Sequence, residues 1–132
     1  MVGQADAVQA YIQAKLFGPA TTWVLLSVDQ WPASWQGMYE TPVVPLLLAL
    51  DGHPDSGGFW EKHCEAQLHK IGFKPIPEWR SCFWHDTMKL FLVVYVDDFK
   101  LSGPEASVHK GWELIRAHVN ICLLYTSDAA DE

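Results

Sequence analysis

The residues with the greatest chemical potential are two adjacent carboxylates, Asp97 and Asp98, closing the apolar run Leu90-Phe91-Leu92-Val93-Val94-Tyr95-Val96. An apolar strand that ends in two acids is physically odd. Strand alternation sends neighbouring side chains to opposite faces, and like charges held together cost energy without a cation. Two readings fit this segment taken alone: solvated acids of a hairpin turn, where Asp is common, or ligands kept for a metal. Asp6, in Asp6-Ala7-Val8-Gln9-Ala10-Tyr11, is the third acid of interest, and by itself it reads as a helix cap. If the segment of Asp6 pairs beside the hairpin ending at Asp97, three carboxylates converge at one end of a sheet. Such a cluster is tolerable when it binds divalent cations, and hard oxygen ligands select Mg²⁺ or Mn²⁺.

The elements around these acids decide whether they meet. Residues 6–16 predict a helix entered from a short extended segment, capped by Asp6 and ended by Gly18-Pro19. Thr21 to Val28 is β-branched and aromatic and predicts a strand; Trp31 to Gly37 predicts a loop. Val43 to Leu50 is a second apolar run, and Pro45 within it suits an edge or irregular strand. Asp51 to Gly58 is turn-rich. From Phe59 to Ile71, Phe59, Trp60, Cys64, Leu68 and Ile71 recur near a 3.6 period, which predicts a helix that Gly72 stops and Pro75 and Pro77 cannot extend. Ser81–His85 and Lys89–Tyr95 form a hairpin through Asp86-Thr87-Met88, and Phe99–Leu101 returns as a further strand. Pro104 opens a last helix to about Asn120, with Val108, Trp112, Ile115 and Val119 on one face. The expected class is α+β, an antiparallel sheet with helices packed on one face.

Composition bounds the answer. At 132 residues, 49% hydrophobic, with seven Trp, four Tyr and six Phe, the chain has the material for one folded domain and too much apolar surface for disorder. The longest apolar stretch, Leu90 to Val96, falls well short of the ~18 residues of a membrane span. The start carries neither a basic region nor an apolar signal segment, and three cysteines are too few for a disulfide scaffold, so an intracellular, reducing setting is expected. Residues 122–132, Cys122 to Glu132, resemble the in-frame translation of a transposase-type sequencing-library adapter. They are expected to be a non-native tail and are left out of the fold reading, leaving residues 1–121 as the native domain. Without Asp128, Asp131 and Glu132, three acids fewer, the formal charge of −7 becomes −4. The Lys and Arg residues are scattered, so no basic groove of a self-sufficient nucleic-acid binder is readable.

Three motifs in order carry a family resemblance. Tyr95-Val96-Asp97-Asp98 resembles the catalytic Y-x-D-D box of reverse transcriptases, and Asp6 to Tyr11 resembles their first palm motif, an Asp followed by four residues to an aromatic. Leu48 to Trp60 is similar to the segment of Ty1/copia-type polymerases that usually reads A-L-Y-G-L-K-Q-A-P-R-A-W. The resemblance spans about residues 4–120. It implies a polymerase palm-like sheet, incomplete because finger segments, thumb and ribonuclease H domain fall outside the matched stretch. It further implies RNA-directed DNA synthesis by two-metal nucleotidyl transfer. Asp6, Asp97 and Asp98 match the carboxylates that hold two Mg²⁺ ions, with Mn²⁺ as a substitute. Tyr11 matches the aromatic under the incoming sugar, beside the plain alternative of a core-packing tyrosine. Tyr95 and Val96 match positions that touch the primer end, and Gly52 matches a tight turn near the nucleotide. The implied partners are an RNA or DNA template, a primer and deoxynucleoside triphosphates, bound by a longer parent with no membrane; the fragment alone is expected to be inactive.

Departures from the family pattern are equally concrete. Asp51 stands where the family usually has Tyr, and Asp55 where it often has Gln; an acid facing a triphosphate is unfavourable, so no nucleotide contact is carried to Asp55. Trp60 matches, and core packing is its expected role. Two alternatives stay open: a non-catalytic palm-derived interaction domain, and another two-metal phosphotransferase or nuclease joined by a further acid such as Asp29, Asp51 or Asp55. His63, Cys64 and His69 share one helix but not one face, so they do not read as a zinc site. His53, His85, His109 and His118 read as surface residues, and Cys64 and Cys82 as small apolar ones.

Overall fold

The computed structural model describes residues 1–127. In chain order its elements are β1 (Val2–Ala7), β2 (Trp23–Leu25), β3 (Val43–Pro45), α1 (Ser56–Lys70), β4 (Phe73–Pro75), β5 (Cys82–His85), β6 (Leu90–Tyr95), β7 (Asp98–Ser102), α2 (Glu105–Arg116) and β8 (Ile121–Ser127). Six strands form one antiparallel sheet in the order β4-β5-β6-β7-β1-β8, and β2 pairs with β3 alone. The class is α+β. Among the described residues no helix is long and apolar enough to cross a membrane.

Period-two burial builds the sheet. Leu90, Leu92 and Val94 of β6, Phe99 and Leu101 of β7, and Ala5 and Ala7 of β1 all face one side. That side meets Trp60, Cys64 and Leu68 of α1 and Val108, Trp112 and Ile115 of α2 in a single apolar core. Both helices therefore cover one face, and the other face stays open. Gly3 of β1 is required by close approach, since a Cβ there would lie 2.5 Å from Trp112 Nε1. That indole N–H is buried and finds no acceptor among the described residues.

The structure corrects several expectations. No helix covers residues 6–16: Asp6 lies inside β1, and only a 3-10 turn forms at Tyr11–Gln13. Pairing with β7 on one side and β8 on the other outweighs the helical preference of Ala and Gln, and Gln9 at φ +48° reverses the chain. Asp6 is accordingly no helix cap. The strand expected over Thr21–Val28 is confined to Trp23–Leu25, with a 3-10 turn at Val28–Gln30. α2 stops at Arg116, short of Asn120, because Asn120 docks its main chain on Val8 and on the Gln13 side chain at 2.8–3.0 Å. β4 forms between Gly72 and Pro77, where no strand was expected. Residues 122–127, left out of the fold reading on their sequence, continue β8 along β1, with Cys122 opposite Asp6; residues 128–132 lie outside the described residues. His85 is not a surface residue: it is 9% exposed, its Nε2–H donates to the Ile71 carbonyl at 3.0 Å, and its Nδ1 accepts from the Met88 N–H at 3.2 Å.

Candidate functional site

β1 and the β6–β7 hairpin bring the three acids to one end of the sheet. Asp6 lies directly opposite Asp98 across the β1–β7 ladder, and Asp98 in turn faces Tyr95 across β6–β7. Alternation puts all three side chains on the open face, where directly opposed side chains start about 5 Å apart at Cβ. Two carboxylates in that relation repel one another, and Gln4 Nε2 offsets part of this by donating to Asp98 Oδ1 at 2.9 Å. Tyr95, 76% exposed, is the most open side chain of the row.

Asp97 occupies the two-residue turn with Val96. Its carbonyl accepts from the Ala7 N–H at 2.6 Å, so the turn is fastened to the strand of Asp6. Val96 sits at φ +54°, a left-handed conformation that costs a β-branched residue about 1–3 kcal/mol. Its carbonyl accepts from Trp60 Nε1 at 2.6 Å. Trp60 is 1% exposed and packs in the core, as its sequence context implies.

A cleft of about 460 Å³ opens beside this turn, lined by Ala7, Tyr11, Leu50, Asp51, Val96 and Asp97 among others. Tyr11 is half-buried; it packs at the margin of the core and also borders the cleft. Gly52 adopts φ +90°, which L side chains rarely reach, so the turn after Asp51 depends on it. Gly52 is not among the cleft residues, and Asp55 stands exposed at the N-terminus of α1.

The sequence reading missed Ser56 and Gln4. Ser56 is fully buried, its hydroxyl donates to the Leu50 carbonyl at 2.7 Å, and the Leu50 N–H donates back at 2.9 Å. That reciprocal pair holds the Leu50–Asp51 wall of the cleft. Only the Ser three positions before the aromatic pair Phe59-Trp60 hinted at it. Behind the turn lies Cys64, whose thiol burial, with the Glu65 charge second, pushes up to about 12; it is no nucleophile at neutral pH. Burial, and secondarily the charge of Lys70, lowers the pKa of His63, whose ring stacks on Trp60 at 6.1 Å.

Asp6 and Asp98 provide hard oxygen donors on adjacent strands, the donor type Mg²⁺ takes, with Asp97 one residue further on. Among the described residues no three His, Cys, Asp or Glu side chains form a finished metal-holding group. As carboxylate oxygens the acids suit a divalent cation in kind. No family model, curated protein or solved structure matches this chain.

Proposed function

We propose that residues 1–121 are a palm fragment of an RNA-directed DNA polymerase of a copia-type retroelement. The observation that carries this reading is the pairing of Asp6 with Asp98 beside a turn that holds Asp97, reached from opposite ends of the chain. In this reading Asp6, Asp97 and Asp98 hold Mg²⁺. Bound Mg²⁺ supplies charge neutralisation at the attacking 3′-hydroxyl and the departing pyrophosphate of a deoxynucleotide transfer. Tyr11 stands on the cleft wall beneath the incoming sugar, where its ring excludes a 2′-hydroxyl. Tyr95 and Val96 meet the primer end, and Gly52 allows the turn that brings Asp51 to the cleft. Template, primer and triphosphates belong to the longer parent, so the fragment alone extends a primer weakly or not at all.

The test is metal binding, resolved by residue. Mn²⁺ titrated into the labelled full chain is expected to broaden the amide signals of Asp6, Asp97 and Asp98 selectively. Asp98→Asn is expected to weaken that effect roughly tenfold or more. Broadening that is absent, or spread evenly over the surface acids, sinks the reading. A second reading has one observation of its own: Asp51 lines the same cleft as Asp97, the arrangement expected of another two-metal phosphotransferase or nuclease. Mn²⁺-dependent cleavage of single-stranded DNA that Asp51→Asn abolishes would favour it.

A further inference from the structure

Hydrogen bonds, rather than packing, hold the turn that carries Asp97. Val96 is 44% exposed and sits at φ +54°, which the two-residue turn between the paired Tyr95 and Asp98 calls for but a β-branched residue adopts at a cost, so hydrogen bonds from outside the hairpin add to its restraint. Beside it is a pocket of about 170 Å³, open to solvent and lined by Trp60, Glu61, Cys64, Arg80, Val94 and Val96 among others, so packing does not close over the turn on this side. The Ala7 N–H to the Asp97 carbonyl is one restraint, and the Trp60 indole N–H to the Val96 carbonyl is the other. The indole is itself fixed, because Ser56, Trp60, Cys64 and Leu68 form the buried stripe of α1.

Ser56 and Trp60 stand four residues apart, one helical turn. Ser56 grips Leu50 on one wall of the cleft, and Trp60 grips Val96 on the other. A single face of α1 thus ties both walls.

We infer that Trp60 is a positioning residue, whose indole N–H fixes the left-handed Val96 peptide and, through it, the setting of Asp97 beside Asp6 and Asp98. This role is separable from core packing, because a bicyclic ring lacking the N–H fills the same space. The setting of the turn stands on the geometry; that the acids it sets then hold a cation rests on the palm reading.

The experiment replaces Trp60 in the full chain with 3-benzothienylalanine, which carries sulfur in place of the N–H, and separately makes Trp60→Phe. The carbon chemical shifts of Val96 report its backbone conformation, and hydrogen exchange at Asp97 and Asp98 reports the turn. The benzothienyl chain is expected to melt near the parent temperature. Its Val96 shifts are expected to leave the left-handed range, with turn amides exchanging roughly fivefold faster, the weight of one neutral hydrogen bond. The same replacement at Trp112, whose N–H has no acceptor among the described residues, should leave Val96 unmoved. Val96 shifts unchanged on losing the Trp60 N–H, or moved equally by the Trp112 replacement, overturn the inference; if Trp60→Phe fails to fold, the benzothienyl chain decides. Mn²⁺ separates this from the palm reading. Val96 shifts that move in a chain whose acids show no Mn²⁺ broadening leave the positioning role standing and remove the polymerase. Selective broadening with an unmoved Val96 does the reverse.

Discussion

The sheet with its two helices and the arm between residues 15 and 48 are built from equally apolar sequence, yet they fold in opposite ways. In β1, β6 and β7 every second side chain is buried, whereas no residue from Lys15 to Leu48 is. Trp23, Leu25, Val43 and Leu47 are 50–70% exposed in the arm. The difference lies in partners. Each inner strand of the sheet has neighbours on both sides and helices beneath, whereas β2 and β3 have only one another, and a two-stranded ribbon is marginal in water. The arm is anchored at its base, where Leu16 N–H donates to the Leu47 carbonyl at 2.9 Å and Ala49 N–H to that of Ala14 at 2.9 Å. Hydrophobic content alone therefore did not decide burial; a second layer did.

Native-state hydrogen exchange gives the largest expected contrast. Amides of β6 and β7 should open only with global unfolding, and those of Trp23–Leu25 locally, a difference of about a thousandfold or more. Equal protection in both would erase the contrast. Next comes Phe99→Ala, which empties a fully buried site and is expected to cost about 3–5 kcal/mol in denaturant melts. Ser56→Ala leaves the Leu50 main chain without its buried partner and should cost about 1–3 kcal/mol, with faster exchange at Leu50 as its local sign. Leu25→Ala, in the arm, is expected to stay within about 0.5 kcal/mol, and a larger loss would show that the arm packs in solution. Thiol alkylation sharpens the contrast at the level of single atoms. Exposed Cys122 should react first and half-buried Cys82 next, while Cys64, pushed up to about 12, reacts only on unfolding.

The central hairpin was legible because Leu90–Tyr95 is an uninterrupted apolar run closed by acids, and α1 because Trp60, Cys64 and Leu68 recur at helical spacing. β1 was legible only in part: a short extended segment before a helix was expected, but the strand runs on through Asp6 and Ala7 because β7 and β8 pair with it on both sides. β4 hid behind Pro75 and Pro77, which an edge strand tolerates. β8 was discounted for the origin of its residues, although an edge is recruited through backbone groups whatever the side chains are. Of the site, the proximity of Asp6 to the hairpin acids was anticipated through the family motifs. Gln4 and Ser56 were not, because a short polar side chain does not announce which distant carbonyl or carboxylate it will meet.

The two deeply buried tryptophans differ in one respect with a practical use. Trp60 gives its indole proton to a carbonyl 2.6 Å away, while Trp112 finds no acceptor for its own among the described residues. Their ring N–H resonances and indole vibrational bands should stand apart without any label, one reading out the first helix and the other the second. The molecule thus carries a matched pair of internal spectators, by which either half of its interior can be watched separately during titration or melting.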